Sequence, residues 1–151
     1  MTLSHLEVYR SLNSHKVRYL VIGGLAVNIY GFPRSTKDMD IFIEHTIENC
    51  EELLEAFKSI NLGTTYLTNP QKVFDNQVTI FDDLIRIDVL TKVDGLEFEP
   101  SWEERKEVEV EDVIIPFVSF EHLIDSKKAA GRKQDLEDIE YLIKIRQKEI
   151  P

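Results

Sequence analysis

Apolar residues recur at helical spacing over residues 3–13, where Leu3, Leu6, Val8, Tyr9 and Leu12 form a stripe; the pattern predicts an N-terminal helix. Residues 17–22, Val-Arg-Tyr-Leu-Val-Ile, change to β-branched and aromatic types and read as a buried strand stopped by Gly23-Gly24. A short helix over 25–30 ends at Gly31, because Gly-Phe-Pro stops a helix. A second strand is predicted over 38–44 and an amphipathic helix over 47–60. Residues 61–76, with Gly63, Asn69 and Pro70, read as irregular. Strands at 77–81 and 84–90 flank a turn at Asp82-Asp83, and short strands at 108–110 and 113–117 pair with each other. Ser119 caps a helix that runs to Ala130 and stops at Gly131. A last helix over 134–148 carries an apolar stripe at Leu136, Ile139, Leu142, Ile143 and Ile145.

This order of elements predicts an α/β (α+β) arrangement, a small mixed β-sheet flanked by helices with a helical C-terminus. At 151 residues, one hydrophobic core closes without disulfides, so the expectation is a single domain over 1–151, with a core of about 17–117 and C-terminal helices at about 119–148. The composition, 42% hydrophobic and 30% charged, is that of a folded globular chain. A single cysteine, Cys50, has no partner for an internal disulfide and no histidine beside it, and fits a reducing compartment. No apolar run approaches the roughly 20 residues of a membrane span, and the first residues lack the basic start and apolar core of a signal peptide. The expected location is cytoplasmic.

Net charge adds a constraint. At −10, the chain opposes broad attraction to nucleic acid, which depends on Lys and Arg neutralising phosphates. A local anion site is still open, because cations gather at Lys127, Lys128, Arg132 and Lys133 while the acidic excess lies in segments such as 44–55 and 97–112.

The candidate chemistry rests on carboxylates. Side chains at i and i+2 of a strand share a face, so Asp38 and Asp40 project together while Met39, Ile41 and Ile43 enter the core. Adjacent carboxylates repel unless a cation neutralises them, and hard oxygen donors suit Mg²⁺ or Mn²⁺. Asp88 stands between Ile87 and Val89 in a later strand; if that strand lies beside residues 38–44, three carboxylates meet. Taken singly, each feature has a plainer reading: a solvated Asp-x-Asp face, an Asp88 paired with Arg86 on its own face, a tight strand-to-helix turn at Gly23-Gly24. A strand ending in two glycines also bares backbone N–H groups and a helix N-terminus to an anion. The ordered set of Gly-Gly, Asp-x-Asp and Asp88 carries more weight than its parts.

In that order, Ile22-Gly23-Gly24, Asp38-Met39-Asp40-Ile41 and Ile87-Asp88-Val89 resemble the signature of the DNA polymerase β-type nucleotidyltransferases. More narrowly, Gly23-Gly24-Leu25-Ala26-Val27 and Gly31-Phe32-Pro33-Arg34-Ser35-Thr36-Lys37-Asp38 are similar to the bacterial branch holding the AbiEii-type toxins and related small uncharacterised proteins. The run from Leu123 to Asp138 is similar to the same branch, with a helical Lys127 followed by Arg132-x-x-Asp135-x-x-Asp138. The larger toxins carry an extra helical domain with no counterpart in these residues, and 61–76 matches no part of the pattern.

The resemblance implies a nucleotidyltransferase fold and the transfer of a nucleoside monophosphate from a Mg-NTP to an acceptor hydroxyl, with pyrophosphate leaving. It assigns Asp38, Asp40 and Asp88 to catalysis and to Mg²⁺ (or Mn²⁺), and Gly23, Gly24, Arg34 and Thr36 to the nucleotide. Lys127 and Arg132 become candidates for the β- and γ-phosphates, while Asp135 and Asp138 hold helices and basic groups in place. The acceptor is open among RNA, protein and a small molecule, and a cognate partner protein is compatible with a toxin-like role. Two alternatives stand beside this reading: a non-catalytic nucleotide-binding or partner-binding module, and an antibiotic adenylyltransferase. His5, His15, His45 and His122 have no zinc-site spacing, and no phosphate loop of the Gly-x-x-x-x-Gly-Lys type is present.

Overall fold

A mixed six-stranded sheet of order β3-β4-β2-β1-β6-β5 organises the chain. The protein was analysed as a computed structural model that describes residues 4–31 and 38–149. Its strands are β1 (Tyr19–Ile22), β2 (Met39–Ile43), β3 (Val78–Asp82), β4 (Arg86–Leu90), β5 (Lys106–Val110) and β6 (Val113–Phe117). The helices are α1 (His5–Ser14), α2 (Gly23–Ile29), α3 (Ile47–Ser59), α4 (Pro70–Asp75), α5 (Phe98–Glu103), α6 (Phe120–Ala130) and α7 (Lys133–Glu149). Central β1 runs antiparallel to β2 and parallel to β6. β2 runs parallel to β4, and antiparallel hairpins supply both edges, β3 with β4 and β5 with β6.

All four residues of β1 are buried, as its apolar sequence requires. On one face α1 and α3 pack: Tyr9 stacks on Tyr19 with centroids 6.2 Å apart, and Phe57 meets Phe81 edge-on at 5.0 Å. Met39, Ile41, Ile43, Ile87 and Val89 belong to the same core and are fully buried. On the other face Phe42 meets Phe98 of α5 edge-on at 5.3 Å. Buried Asn49 ties α3 to the sheet, its amide donating to the carbonyls of Arg18 and Glu44 and accepting from the Arg18 N–H.

Helix ends follow the capping rules. Ser4, Thr46 and Ser119 each accept a backbone N–H three residues on. Gly131 closes α6 in the left-handed conformation, φ 64°. The hairpin between β5 and β6 turns on Glu111 and Asp112, both at positive φ, the geometry that matches strand twist in a two-residue turn.

Four expectations need correction. Residues 61–76 are ordered rather than irregular: Gly63–Leu67 forms a 3-10 turn, and Asn69 caps α4 with Pro70 in its first turn. The Asn-Pro pair is a helix-start signal that the loop-forming reading of both residues obscured. The β3–β4 turn occupies residues 83–85, one position later than Asp82-Asp83, because Asp82 pairs with Arg86. Helix α5 was not anticipated, its short Phe98–Glu103 span containing Pro100. Finally, the α7 stripe is split: Leu142 is buried, whereas Leu136 is 56% exposed. Among the described residues no helix is long and apolar enough to cross a membrane.

Candidate active site

Parallel pairing of β2 with β4 sets Asp40 directly opposite Asp88. Because Met39, Ile41, Ile87 and Val89 fill the core, strand alternation turns both carboxylates to the opposite face. Asp38 lies one residue before β2, more exposed than its two companions. The Asp40 carboxyl is pushed up to about 6, first by burial and then by the charges of Asp88 and Asp38, with Lys127 and Arg86 offsetting part of the effect. Arg86 Nε donates to Asp88 Oδ1 at 3.1 Å and stands 4.0 Å from Asp38 Oδ2. The Arg86–Asp88 pairing that the sequence allowed is therefore present.

Asp40 and Asp88 offer the hard, negatively charged oxygens that a divalent cation takes, and the Asp40 carboxyl is raised by burial first and by its acidic neighbours second. That inner pair fits the expected metal. Among the described residues, however, no three His, Cys, Asp or Glu side chains converge tightly enough to enclose an ion. Asp38 is the outer member, facing Arg86.

Gly23 is required where it stands. Its φ is +70°, and a Cβ there would lie 2.2 Å from Asp40 Oδ2. The glycine thus lets β1 turn into α2 directly against the carboxylate. α2 begins at Gly23 rather than at residue 25, which places Gly24 in its first turn. Arg34 and Thr36 lie outside the described residues.

The facing wall comes from α6 and α7. Lys127 is buried in the last turn of α6, and its Nζ donates to Asp138 Oδ2 at 2.8 Å and to Asp135 Oδ1 at 3.5 Å. Arg132 grips Asp135 with both ends of its fork, Nε at 2.7 Å and Nη2 at 3.3 Å, and its backbone N–H adds a third bond. Gln134 donates to the remaining Asp138 oxygen. Burial would raise the Asp135 carboxyl, but the hydrogen bond from Arg132 and the charges of Lys127 and Arg132 outweigh it and hold it below its ordinary value. Asp135 and Asp138 therefore hold the two bases, as expected from the sequence.

A cleft of about 370 Å³ separates the walls, bounded by Gly23, Asp40, Asp88, Lys127, Arg132 and Asp135. Its other end is made by Gln77, Val78, Leu90, Lys92 and Val93. Neither Gln77 nor Lys92 was picked out from the sequence, although the alternation Arg86, Asp88, Leu90 carried two residues past β4 puts Lys92 on the carboxylate face. A larger hollow of about 580 Å³, between Arg10, Trp102 and Arg105, contains none of the predicted site residues. The described candidate residues gather in the smaller cleft instead.

The sequence profile of a family described as nucleotidyl transferase of unknown function (DUF2204) matches residues 2–150. No curated protein matches the chain. Among solved structures, the chain is similar to a candidate nucleotidyltransferase, TM1012, from Thermotoga maritima, at 19% identity and a TM-score of 0.58, covering 91% of this chain and 89% of that one. It is also similar to the lincosamide antibiotic adenylyltransferase LnuA in its lincomycin-bound form, at 17% identity and a TM-score of 0.50, covering 96% and 99%. These likenesses establish the nucleotidyltransferase fold.

Proposed function

Because the chain belongs to the DUF2204 family of nucleotidyl transferases, we propose that its cleft transfers a nucleoside monophosphate from a Mg-NTP to an acceptor hydroxyl. The observation that carries the reading is the register pairing of Asp40 with Asp88, facing Lys127 and Arg132 across one cleft.

Asp40 and Asp88 would hold the divalent cation, Mg²⁺ or Mn²⁺, with Asp38 at the outer edge; when bound, it neutralises charge developing on the α-phosphate. The acceptor oxygen bonds to the α-phosphorus as the bond to the β-phosphate oxygen breaks, and pyrophosphate leaves. Asp88 takes the acceptor proton. Gly23 and Gly24 leave room for phosphate at the end of β1. Lys127, fixed by its two aspartates, and Arg132, whose side chain is 78% exposed, receive the β- and γ-phosphates.

The test is incubation with each labelled NTP, Mg²⁺ or Mn²⁺, and candidate RNA, protein and small-molecule acceptors. Transfer lost in Asp40→Asn supports the assignment. Transfer that survives this change sinks the site assignment, whereas no transfer and no NTP binding at all sinks the activity in favour of a partner-binding module. Adenylylation of a small molecule is the second reading. It is favoured by the match to LnuA over nearly the full length of both chains, and protection of a susceptible host from an antibiotic would select it.

A further inference from the structure

Among the described residues, three basic side chains line the cleft: Lys92, Lys127 and Arg132. Two of them are already held by carboxylates, Lys127 by Asp135 and Asp138, and Arg132 by Asp135. Lys92 makes none of the ion pairs found among those residues, although Asp94 shares its rim. The sheet sets its direction. β4 alternates buried Ile87 and Val89 with Asp88 and Leu90 on the cleft; beyond the strand Thr91 is buried and Lys92 is exposed, so the alternation continues. The backbone there is clamped to the start of β3: the Thr91 N–H donates to the Gln77 carbonyl at 3.0 Å and its hydroxyl to the Asn76 carbonyl at 2.8 Å. A little further on, Gly95 lies against α6. Its φ is +86°, and a Cβ there would stand 2.9 Å from both Ala129 Cβ and the Asp125 carbonyl oxygen. Glycine thus lets this loop touch the helix that carries Lys127, which brings Lys92 to the side of the cleft that α6 closes.

We propose that Lys92 is a third phosphate-binding residue of the cleft, contacting the polyphosphate of the nucleotide beside Lys127 and Arg132. This rests on the nucleotidyl-transfer reading above. A nucleoside triphosphate keeps a net negative charge after one divalent cation has bound it, so its site favours a base whose charge is not already shared with a carboxylate. Lys127 is buried and fixed by two aspartates, which suits a base that orients the phosphates. Lys92 is the complementary kind: an ammonium on a flexible four-carbon stem, exposed before the ligand arrives and free to close on it. The clamp at Thr91 and the contact at Gly95 fix where that stem starts, and the stem supplies the reach.

The experiment is calorimetric titration of the full chain, in Mg²⁺ at low salt, with each of the four NTPs and with inorganic tripolyphosphate, which has no base or sugar. Lys92→Gln is expected to weaken tripolyphosphate and the preferred NTP alike by about tenfold, the scale of one charge-assisted hydrogen bond. Lys92→Arg, which keeps the charge, should bind both as wild type does. Lys72→Gln removes the same charge from α4, outside the cleft, and should leave both affinities unchanged. Melting without ligand should be the same in Lys92→Gln and wild type, because the ammonium has no ion pair to lose; a lower melting point marks a structural group and overturns the proposal. An equal loss in Lys72→Gln marks net charge alone, and a loss confined to the NTP marks a contact with base or sugar; either overturns it. A loss shared by Lys92→Arg marks packing of the stem and overturns it as well. NTP binding that ignores Lys92 defeats this inference alone. Wild type that binds neither NTP nor tripolyphosphate defeats the nucleotidyl-transfer reading and this inference with it.

Discussion

The two walls of the cleft handle charge in opposite ways. On the sheet, burial first and then the charges of Asp88 and Asp38 raise the Asp40 carboxyl to about 6. On the helices, Asp135 is also shielded from solvent, yet its carboxyl is lowered because Arg132 and Lys127 are bonded to it. Burial alone therefore does not decide the direction. A wall that supplies its own counter-charges is complete as folded, whereas one that lacks them is complementary to a cation from outside.

The largest effect should come from the incomplete wall. Asp40→Asn should lower transfer on the order of 10³-fold, measured as kcat with saturating Mg-NTP, while NTP binding through the opposite wall weakens far less. Equal losses in both would mean that the two walls do not divide the work.

Next in size is the removal of a counter-charge from the complete wall. Asp138→Ala leaves Lys127 buried without its 2.8 Å partner and should cost about 3 kcal/mol in urea unfolding. Asp40→Asn should do the reverse. The folded state binds the Asp40 proton more tightly than the unfolded chain, so without metal its stability falls as pH rises from about 4 to about 6 and is flat above. The amide removes that penalty and should stabilise the metal-free protein by about 2 kcal/mol at pH 7, an advantage absent at pH 4. Asp135 has the opposite sign: its stabilisation is present above the ordinary carboxylate range and is lost only as pH falls through its lowered value. Melting curves at pH 4, 5, 6 and 7 separate the two contributions.

Gly23→Ala tests how closely the walls depend on backbone. The new Cβ collides with Asp40 Oδ2, and φ is +70°; a cost of about 1–2 kcal/mol is expected, with transfer reduced because Asp40 is displaced. The smallest change belongs to Arg132→Gln, an exposed group whose loss should lower stability by less than about 1 kcal/mol. Its effect should show instead as a raised KM for the NTP.

Much of this was legible along the chain. Strand alternation gave the faces of Asp40 and Asp88, apolar spacing gave α3, Ser119 and Gly131 set the bounds of α6, and Ile22-Gly23-Gly24 marked the turn into α2. Those features depend on neighbours a few residues apart, within reach of local sterics and hydrogen bonding. The Asn69-Pro70 start of α4 was also local, but it stood in a stretch whose loop-forming residues concealed it. Lys92 was missed because it lies two residues beyond the end of β4, although the alternation of that strand carried forward would have found it.

The sequence by itself determined which residues carry charge, which strands hold them and which face each one takes, because side-chain direction follows from backbone period. Only the tertiary structure decided which charges are compensated. Whether Asp40 meets Asp88 or Arg86, and whether Lys127 meets a phosphate wall or two buried aspartates, depends on strand order and helix docking. Electrostatic energy falls with separation in space, and separation along the chain does not report it.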